Sequence, residues 1–183
     1  AGNEFLADYA QRFNPYVIVN PTTIDLNYHK PVKHKRQKTT IGWTGTHSTS
    51  KYLKSLTSVF KKLKEKYDFE VVIISNQKPN WDFEDYIFIR WSKNREIDDL
   101  NKFDIGIMPL ENSPWEQGKC GFKDLQYMAM EIPAVVSDVG GNRQIIEHEV
   151  DGFLCRKEED WLKSLTRLME SEDLRQEIGL KGR

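Results

Sequence analysis

Gly118-Lys119-Cys120-Gly121-Phe122-Lys123-Asp124-Leu125-Gln126-Tyr127-Met128-Ala129 opens with two glycines around a lysine and continues with apolar residues at helical spacing. Beyond it, Ile132-Pro133-Ala134-Val135-Val136 is a short β-branched run with a proline at its entry, the pattern of a buried strand. Asp138-Val139-Gly140-Gly141-Asn142 follows as a turn of residues that tolerate positive φ. The predicted order is glycine loop, helix, buried strand, glycine loop. A helix N-terminus carries unpaired N–H groups and a partial positive charge, so it draws phosphate. Lys119 and Lys123 add full charges at that end.

Outward from this centre, strands and helices alternate. Strands are predicted at 40–44, 71–74, 86–89, 105–108 and 152–155, and helices at 50–67, 96–103, 143–149, 161–169 and 174–180. Before them come a helix over 4–12, a short strand over 16–19, a turn at 20–23 and a polar, irregular segment over 26–39. Strand–helix alternation with nearly continuous apolar strands implies a parallel sheet covered on both faces. The fold expected is α/β: a Rossmann-like three-layer domain over 39–183, with residues 1–38 as a separate leading segment. Ligands of such sheets bind at the carboxyl ends of the strands. That selects the loops at 45–50, 75–78, 90–95, 109–122 and 137–142. Gly42-Trp43-Thr44-Gly45 lacks the Gly-Lys-Ser/Thr ending of a P-loop, and no G-x-G-x-x-G follows the first strand.

Composition narrows the function classes. In 183 residues, 27 Lys and Arg stand against 28 Asp and Glu, so no broad field drives the chain onto nucleic acid or an anionic membrane. The basic run at 30–38 reads as a charged linker. Two cysteines, Cys120 and Cys155, make neither a disulfide framework nor a metal-ligand spacing, which fits a reducing, cytoplasmic setting. Cys120 has no base beside it in sequence and is not expected to be a nucleophile. His29, His34 and His148 show no partner in sequence, and Trp43 and Trp115 read as packing residues. No apolar run is long enough to span a membrane, and no signal peptide is evident. The chain does not begin with Met, and the expectation is a piece of a longer protein.

The succession Pro-Leu, glycine-flanked lysine motif, Tyr-Met-Ala, Ile-Pro-Ala-Val-Val-Ser-Asp-Val-Gly-Gly-Asn and Asp-Gly-Phe-Leu resembles the C-terminal half of family 4 (group 1) retaining glycosyltransferases. The resemblance runs from about Thr40 to the end, with 118–152 as its specific part. It implies a GT-B fold, two Rossmann-like domains facing a cleft, of which this one holds a nucleotide diphosphate-sugar of UDP or GDP type. No further cofactor and no metal are implied. The leading residues 2–7 and 17–21 resemble the hand-over between the two domains, so the partner implied is an N-terminal domain that supplies the acceptor site. The family context is polysaccharide assembly, in the cytoplasm or at the inner membrane face by peripheral association through other parts of the full chain.

The resemblance also distributes roles. Lys119 and Lys123 would stabilise the departing diphosphate, with the backbone at Gly118, Gly121 and Phe122. Lys123 reads otherwise as a solvated first-turn lysine. Two glutamates eight positions apart are usual in the family; Gly118 and Gln126 stand there, with Glu116 two places from the first. Gln126 would contact ribose through its amide, and Glu116 the sugar. Gly45, Thr46 and His47 would line the first loop, Thr46 and His47 serving otherwise as turn and cap residues. Trp91 follows a strand where the family places the base, and would stack on it or pack at a rim.

Other classes remain open from residues alone. A GT-B-like nucleotide-sugar epimerase would use the same donors with carboxylates mostly from the other domain. A non-catalytic nucleotide-sugar-binding module fits the two replaced glutamates. A flavodoxin-like regulatory domain needs a phosphorylatable Asp at a strand end, whereas Asp104 precedes its strand.

Overall fold

The structure, a computed structural model, describes residues 1–32 and 37–183. The middle of the basic run, including His34, lies outside the described residues, and with it the linker reading of that run. Six strands form one sheet: β1 (Thr39–Gly45), β2 (Phe69–Ser75), β3 (Ile87–Arg90), β4 (Ile105–Met108), β5 (Ala134–Ser137) and β6 (Gly152–Cys155). All pairs are parallel, in the order β3-β2-β1-β4-β5-β6. This is the Rossmann-like α/β sheet expected.

Alternation along each strand builds two cores, because successive side chains leave opposite faces. Val71, Ile73, Ile105, Ile107 and Val135 pack with Leu53, Phe60 and Leu63 on one face, together with Leu165 and Leu168 of a later helix. Val72, Ile74, Met108, Ala134 and Val136 pack with Leu100, Tyr127 and Met128 on the other. The first face is covered by α2 (Thr57–Lys64) and α7 (Glu158–Glu170), the second by α3 (Glu96–Leu100) and α5 (Phe122–Ala129).

Strand order reverses between β1 and β4, and the two pair only at Ile41↔Ile105 and Gly42↔Gly106. Beyond those glycines a ring fills the gap. A Cβ at Gly106 would lie 2.5 Å from the Tyr127 ring, and one at Gly42 2.0 Å from Phe103. The Tyr127 hydroxyl accepts from the Thr44 N–H at 3.1 Å and donates to the Ile107 carbonyl at 3.2 Å. It thus replaces the ladder bonds where β1 and β4 part.

Several local expectations change. The run at 16–19 joins no strand, and Tyr16 is 91% exposed. Its partner is the N-terminus: the Ala1 ammonium donates to Ile18 O, and Asn20 N–H donates to Ala1 O. The predicted helix over 50–67 starts as a 3-10 segment, Ser50–Leu56, before α2. A short helix, α4 (Pro114–Gln117), lies within the loop after β4, with Ser113 as its cap and Pro114 at its first turn. The chain closes with α6 (Asn142–Ile145), α7 and α8 (Glu172–Gly182).

The leading segment is packed onto the sheet body. Its helix α1 (Glu4–Gln11) begins at Asn3, which is buried. His29 is buried too: Nδ1 lies 3.1 Å from Asp25 O, and Arg183 donates to the His29 carbonyl. His148 accepts from the Leu154 N–H at 3.0 Å. Trp43 packs in the core, whereas Trp115 is 77% exposed.

Candidate anion-binding site

The carboxyl ends of the strands lie along one edge, and the loops chosen in sequence meet there. The N-cap of α5 is Gly121, in the left-handed region at φ 66°. A Cβ there would strike Ile145 Cδ1 at 2.3 Å, so glycine is required by both conformation and space. The first helical bond runs from Leu125 N–H to Gly121 O; the N–H groups of Phe122, Lys123 and Asp124 find no acceptor among the described residues. These donors and the dipole face the loop that carries Lys119.

Lys119 and Lys123 stand together at this end. Neither has a carboxylate at ion-pair distance among the described residues. Lys119 Nζ lies 5.9 Å from the Tyr52 ring centroid and 6.0 Å from that of Trp115. Burial lowers the pKa of Lys123, and the charge of Lys119 lowers it further, with Asp124 opposing. Two mutually repelling cations at a helix end with unpaired N–H groups favour an anion there.

Glu116 is buried and does not face that site freely. Tyr52 OH donates to Oε1 and Ser113 Oγ to Oε2. Burial raises its carboxyl pKa, but these hydrogen bonds and the nearby Lys119 charge outweigh it and hold the group below the usual carboxylate range. The contact joins the loop after β4 to the 3-10 segment after β1, across the switch point.

The second glycine loop is a seat for the first. Gly141 N–H donates to Lys119 O at 3.0 Å, and Gly140 N–H to Gln117 Oε1 at 3.2 Å. A Cβ at Gly140 would lie 2.7 Å from Glu116 O, and one at Gly141 2.8 Å from Lys119 O. From the other side Asn3 Nδ2 donates to Gln117 O and Lys119 O, both at 3.0 Å. The lysine loop is therefore clamped between the leading segment and the β5–α6 turn.

The remaining candidates fall into two groups. After β1, a Cβ at Gly45 would meet the Trp43 ring at 2.5 Å; Thr46 Oγ1 lies 2.8 Å from Ser48 Oγ. His47 N–H donates to Asn76 Oδ1 at 2.8 Å, and Nδ1 lies 3.2 Å from Asn76 Nδ2. Farther along the edge, Gln126 and Trp91 meet at a carboxylate the sequence reading passed over. Glu96 Oε1 accepts from Trp91 Nε1 at 3.3 Å and Gln126 Nε2 at 3.4 Å, and Oε2 from Tyr28 OH at 3.1 Å. Gln126 is buried under His29, with 3.5 Å between their Nε2 atoms; Trp91 and Phe122 are half-exposed.

Open cavities lie elsewhere among the described residues: one of about 500 Å³ at the amino ends of the strands, lined by residues such as Phe103, Ile132, Pro133 and Arg175, and one of about 740 Å³ beside Thr40 and Glu70. The chemistry argues for the carboxyl edge, where the unpaired cations and N–H groups are. Cys120 Sγ lies 3.7 Å from Gly118 O. Among the described residues no group of three or more His, Cys, Asp or Glu is placed to hold a metal, and no helix is long and apolar enough to cross a membrane.

Comparison with known proteins places this architecture. No curated protein matches the chain. Among solved structures, the C-terminal domain of a group 1 family glycosyl transferase (LpcC) from Francisella tularensis is 18% identical, with 87% of this chain and 94% of that one covered at a TM-score of 0.65. A glycosyltransferase from Rickettsia africae is 14% identical over all of this chain and 56% of its own, with a TM-score of 0.80. HepE from Anabaena, solved with UDP and glucose, is 13% identical over all of this chain and 56% of its own, at 0.75. The chain thus spans little more than half the length of those two enzymes. The family model described as "Glycosyl transferases group 1" matches residues 38–171. The chain belongs to the group 1 glycosyl transferases, with the fold of their C-terminal domain.

Proposed function

We propose that this domain holds the nucleotide diphosphate-sugar of a retaining glycosyltransferase and stabilises the nucleoside diphosphate as it leaves. The observation that carries this reading is the pair Lys119 and Lys123, without carboxylates at ion-pair distance among the described residues, at the end of α5 where the N–H groups are open. When the anomeric C–O bond breaks, negative charge develops on the leaving phosphate oxygen. Cations and N–H dipoles already in place stabilise that charge without reorganising. Phosphate is also what a helix N-terminus with added lysines suits best. HepE, of like fold, was solved with UDP and glucose; a donor of UDP or GDP type is the corresponding reading here, with Trp91 near the base and Gln126 near the ribose.

The acceptor would come from a domain preceding residues 1–38. Phe13, Tyr16 and Ile18 expose large apolar surface on that leading segment, which suits a docked neighbour. The reaction would take place in the cytoplasm, or at the inner membrane face.

The test is calorimetric titration of this chain and of the full-length protein with UDP, GDP, ADP and inorganic pyrophosphate. One nucleoside diphosphate should bind selectively, and Lys119→Ala and Lys123→Ala should each weaken it about tenfold, the worth of one charge-assisted contact. Proton NMR of the product from the full-length enzyme should show the donor's anomeric configuration. Binding that is indifferent to both lysines, or a full-length protein that binds no nucleotide, would overturn the reading.

A further inference from the structure

Three buried side-chain oxygens beneath Gly121 have no hydrogen-bond partner among the described residues: Oδ1 and Oδ2 of Asp124, and Oδ1 of Asn142. They converge. A Cβ built on Gly121 would stand 3.1 Å from Asp124 Oδ2 and 3.5 Å from Asn142 Oδ1. Both side chains are fully buried. The Asn142 amide is oriented by its Nδ2, which donates to Ser137 O at 2.9 Å, so Oδ1 is the atom left without a partner near Gly121. Three acceptors and no donor is an arrangement folded proteins avoid. A donor has to be supplied.

We propose that Asp124 is kept as the neutral carboxylic acid, its O–H donating to Asn142 Oδ1. The shared proton then clasps the first turn of α5 to the glycine loop that seats Lys119, and keeps an opposing negative charge out of the anion site. The proposal rests on the reading of that site as phosphate-binding. Its surroundings agree. Burial pushes the Asp124 carboxyl up to about 8, and the charge of Lys123 on the same helix only partly opposes this. The other titratable neighbour on α5 is Tyr127, itself raised by burial. From α6 come the uncharged Asn142 and Ile145, and from β4 and β5 apolar residues. Helix α8 meets the far end of α5, at Met128 and Glu131. A neutral Asp124 adds no further negative charge beside Lys119 and Lys123; an ionised one would offset one of them. Asp124 is thus a positioning residue, acting through the loop and the local field rather than by touching a ligand.

The experiment is a pH titration of this chain with 13C-carboxyl aspartate, followed by NMR. Asp124→Asn assigns the signal, and Asn142→Ala assigns it independently if the first variant folds poorly. The Asp124 resonance should be that of a neutral acid at neutral pH and titrate at about 8. Affinity for whichever of UDP, GDP and ADP binds should fall roughly tenfold across that titration, the usual scale of coupling between interacting sites. Asp124→Asn, which mimics the neutral acid, should bind that nucleoside diphosphate like the wild type at neutral pH and lack that additional loss. A carboxylate already ionised at neutral pH, as with a bound water in place of the proton, would overturn the proposal. So would an Asp124→Asn profile that tracks the wild type. If none of UDP, GDP and ADP binds at any pH, the phosphate reading falls, while the resonance still reports whether the proton is there.

Discussion

Asn3 is a short polar residue in the leading segment, yet its side chain makes three bonds in a buried place. Oδ1 accepts from Leu6 N–H at 2.9 Å, capping α1, and Nδ2 donates to Gln117 O and Lys119 O, both at 3.0 Å. Lys119 O keeps a second donor, Gly141 N–H, but Gln117 O has no other partner in the described residues. Asn3→Ala removes the cap, worth about 1 kcal/mol, and leaves one carbonyl unsatisfied at about 1–2 kcal/mol. The loss should total roughly 2–3 kcal/mol. Asn3→Asp keeps the cap and the shape but turns a donor into a carboxylate oxygen facing two carbonyls, and should cost about 3–4 kcal/mol. Urea unfolding at neutral pH gives both numbers, and thermal melts should fall about 2–4 °C per kcal/mol for a chain of this size. The introduced carboxyl would have a raised pKa in the folded state, so the Asp variant should recover as pH falls and it becomes protonated. An Asp variant at least as stable as the Ala variant at neutral pH would refute the claim that the amide ties the leading segment to the lysine loop.

Two further outcomes follow from the same loops. Gly140 lies at φ 58°, and its Cβ would approach Glu116 O at 2.7 Å, so Gly140→Ala should destabilise by about 2–4 kcal/mol. Gly118→Ala, at φ −75° with the side-chain tip of Leu6 at 3.3 Å and Trp115 O at an ordinary 3.5 Å, should stay within about 1 kcal/mol in the same denaturation series; equal losses would contradict the seating of one loop on the other. Asp138 is buried, which raises its pKa, but hydrogen bonds from Arg156 and Arg143 hold it below the ordinary range. Its contribution to stability is therefore present above the unfolded pKa of about 3.9 and is lost as pH falls through the lower folded value. Asp138→Asn should flatten that acid limb of stability against pH, and an unchanged acid limb would show the pairing to be inconsequential.

What could be read along the chain was periodic or local. Strand alternation at 71–74 and 105–108 and the helical face of 122–129 report burial directly, so the α/β class followed from them. The run at 16–19 misled because β-branched residues signal a strand only when a neighbour offers a ladder, and there the neighbour is the chain's own first residue. Trp115 misled because an aromatic in a loop has no periodicity to say which way it faces. Glu96 was passed over for the same reason: it meets Trp91, Gln126 and Tyr28 through contacts of which only one is local in sequence.

The strand–helix alternation from β1 onward, the two glycine loops and the lysines at the first of them were legible in the sequence itself, because φ tolerance, helix capping and period-2 burial act within a few residues. Assigning the second glycine loop to scaffolding, the burial of Glu116 under Tyr52 and Ser113, and the stranded oxygens of Asp124 and Asn142 took the tertiary structure. Each depends on groups separated by tens of residues, or in Asp124's case on the loss of all water around it. Desolvation and unmatched hydrogen-bond capacity are properties of a packed interior, and no local pattern encodes them.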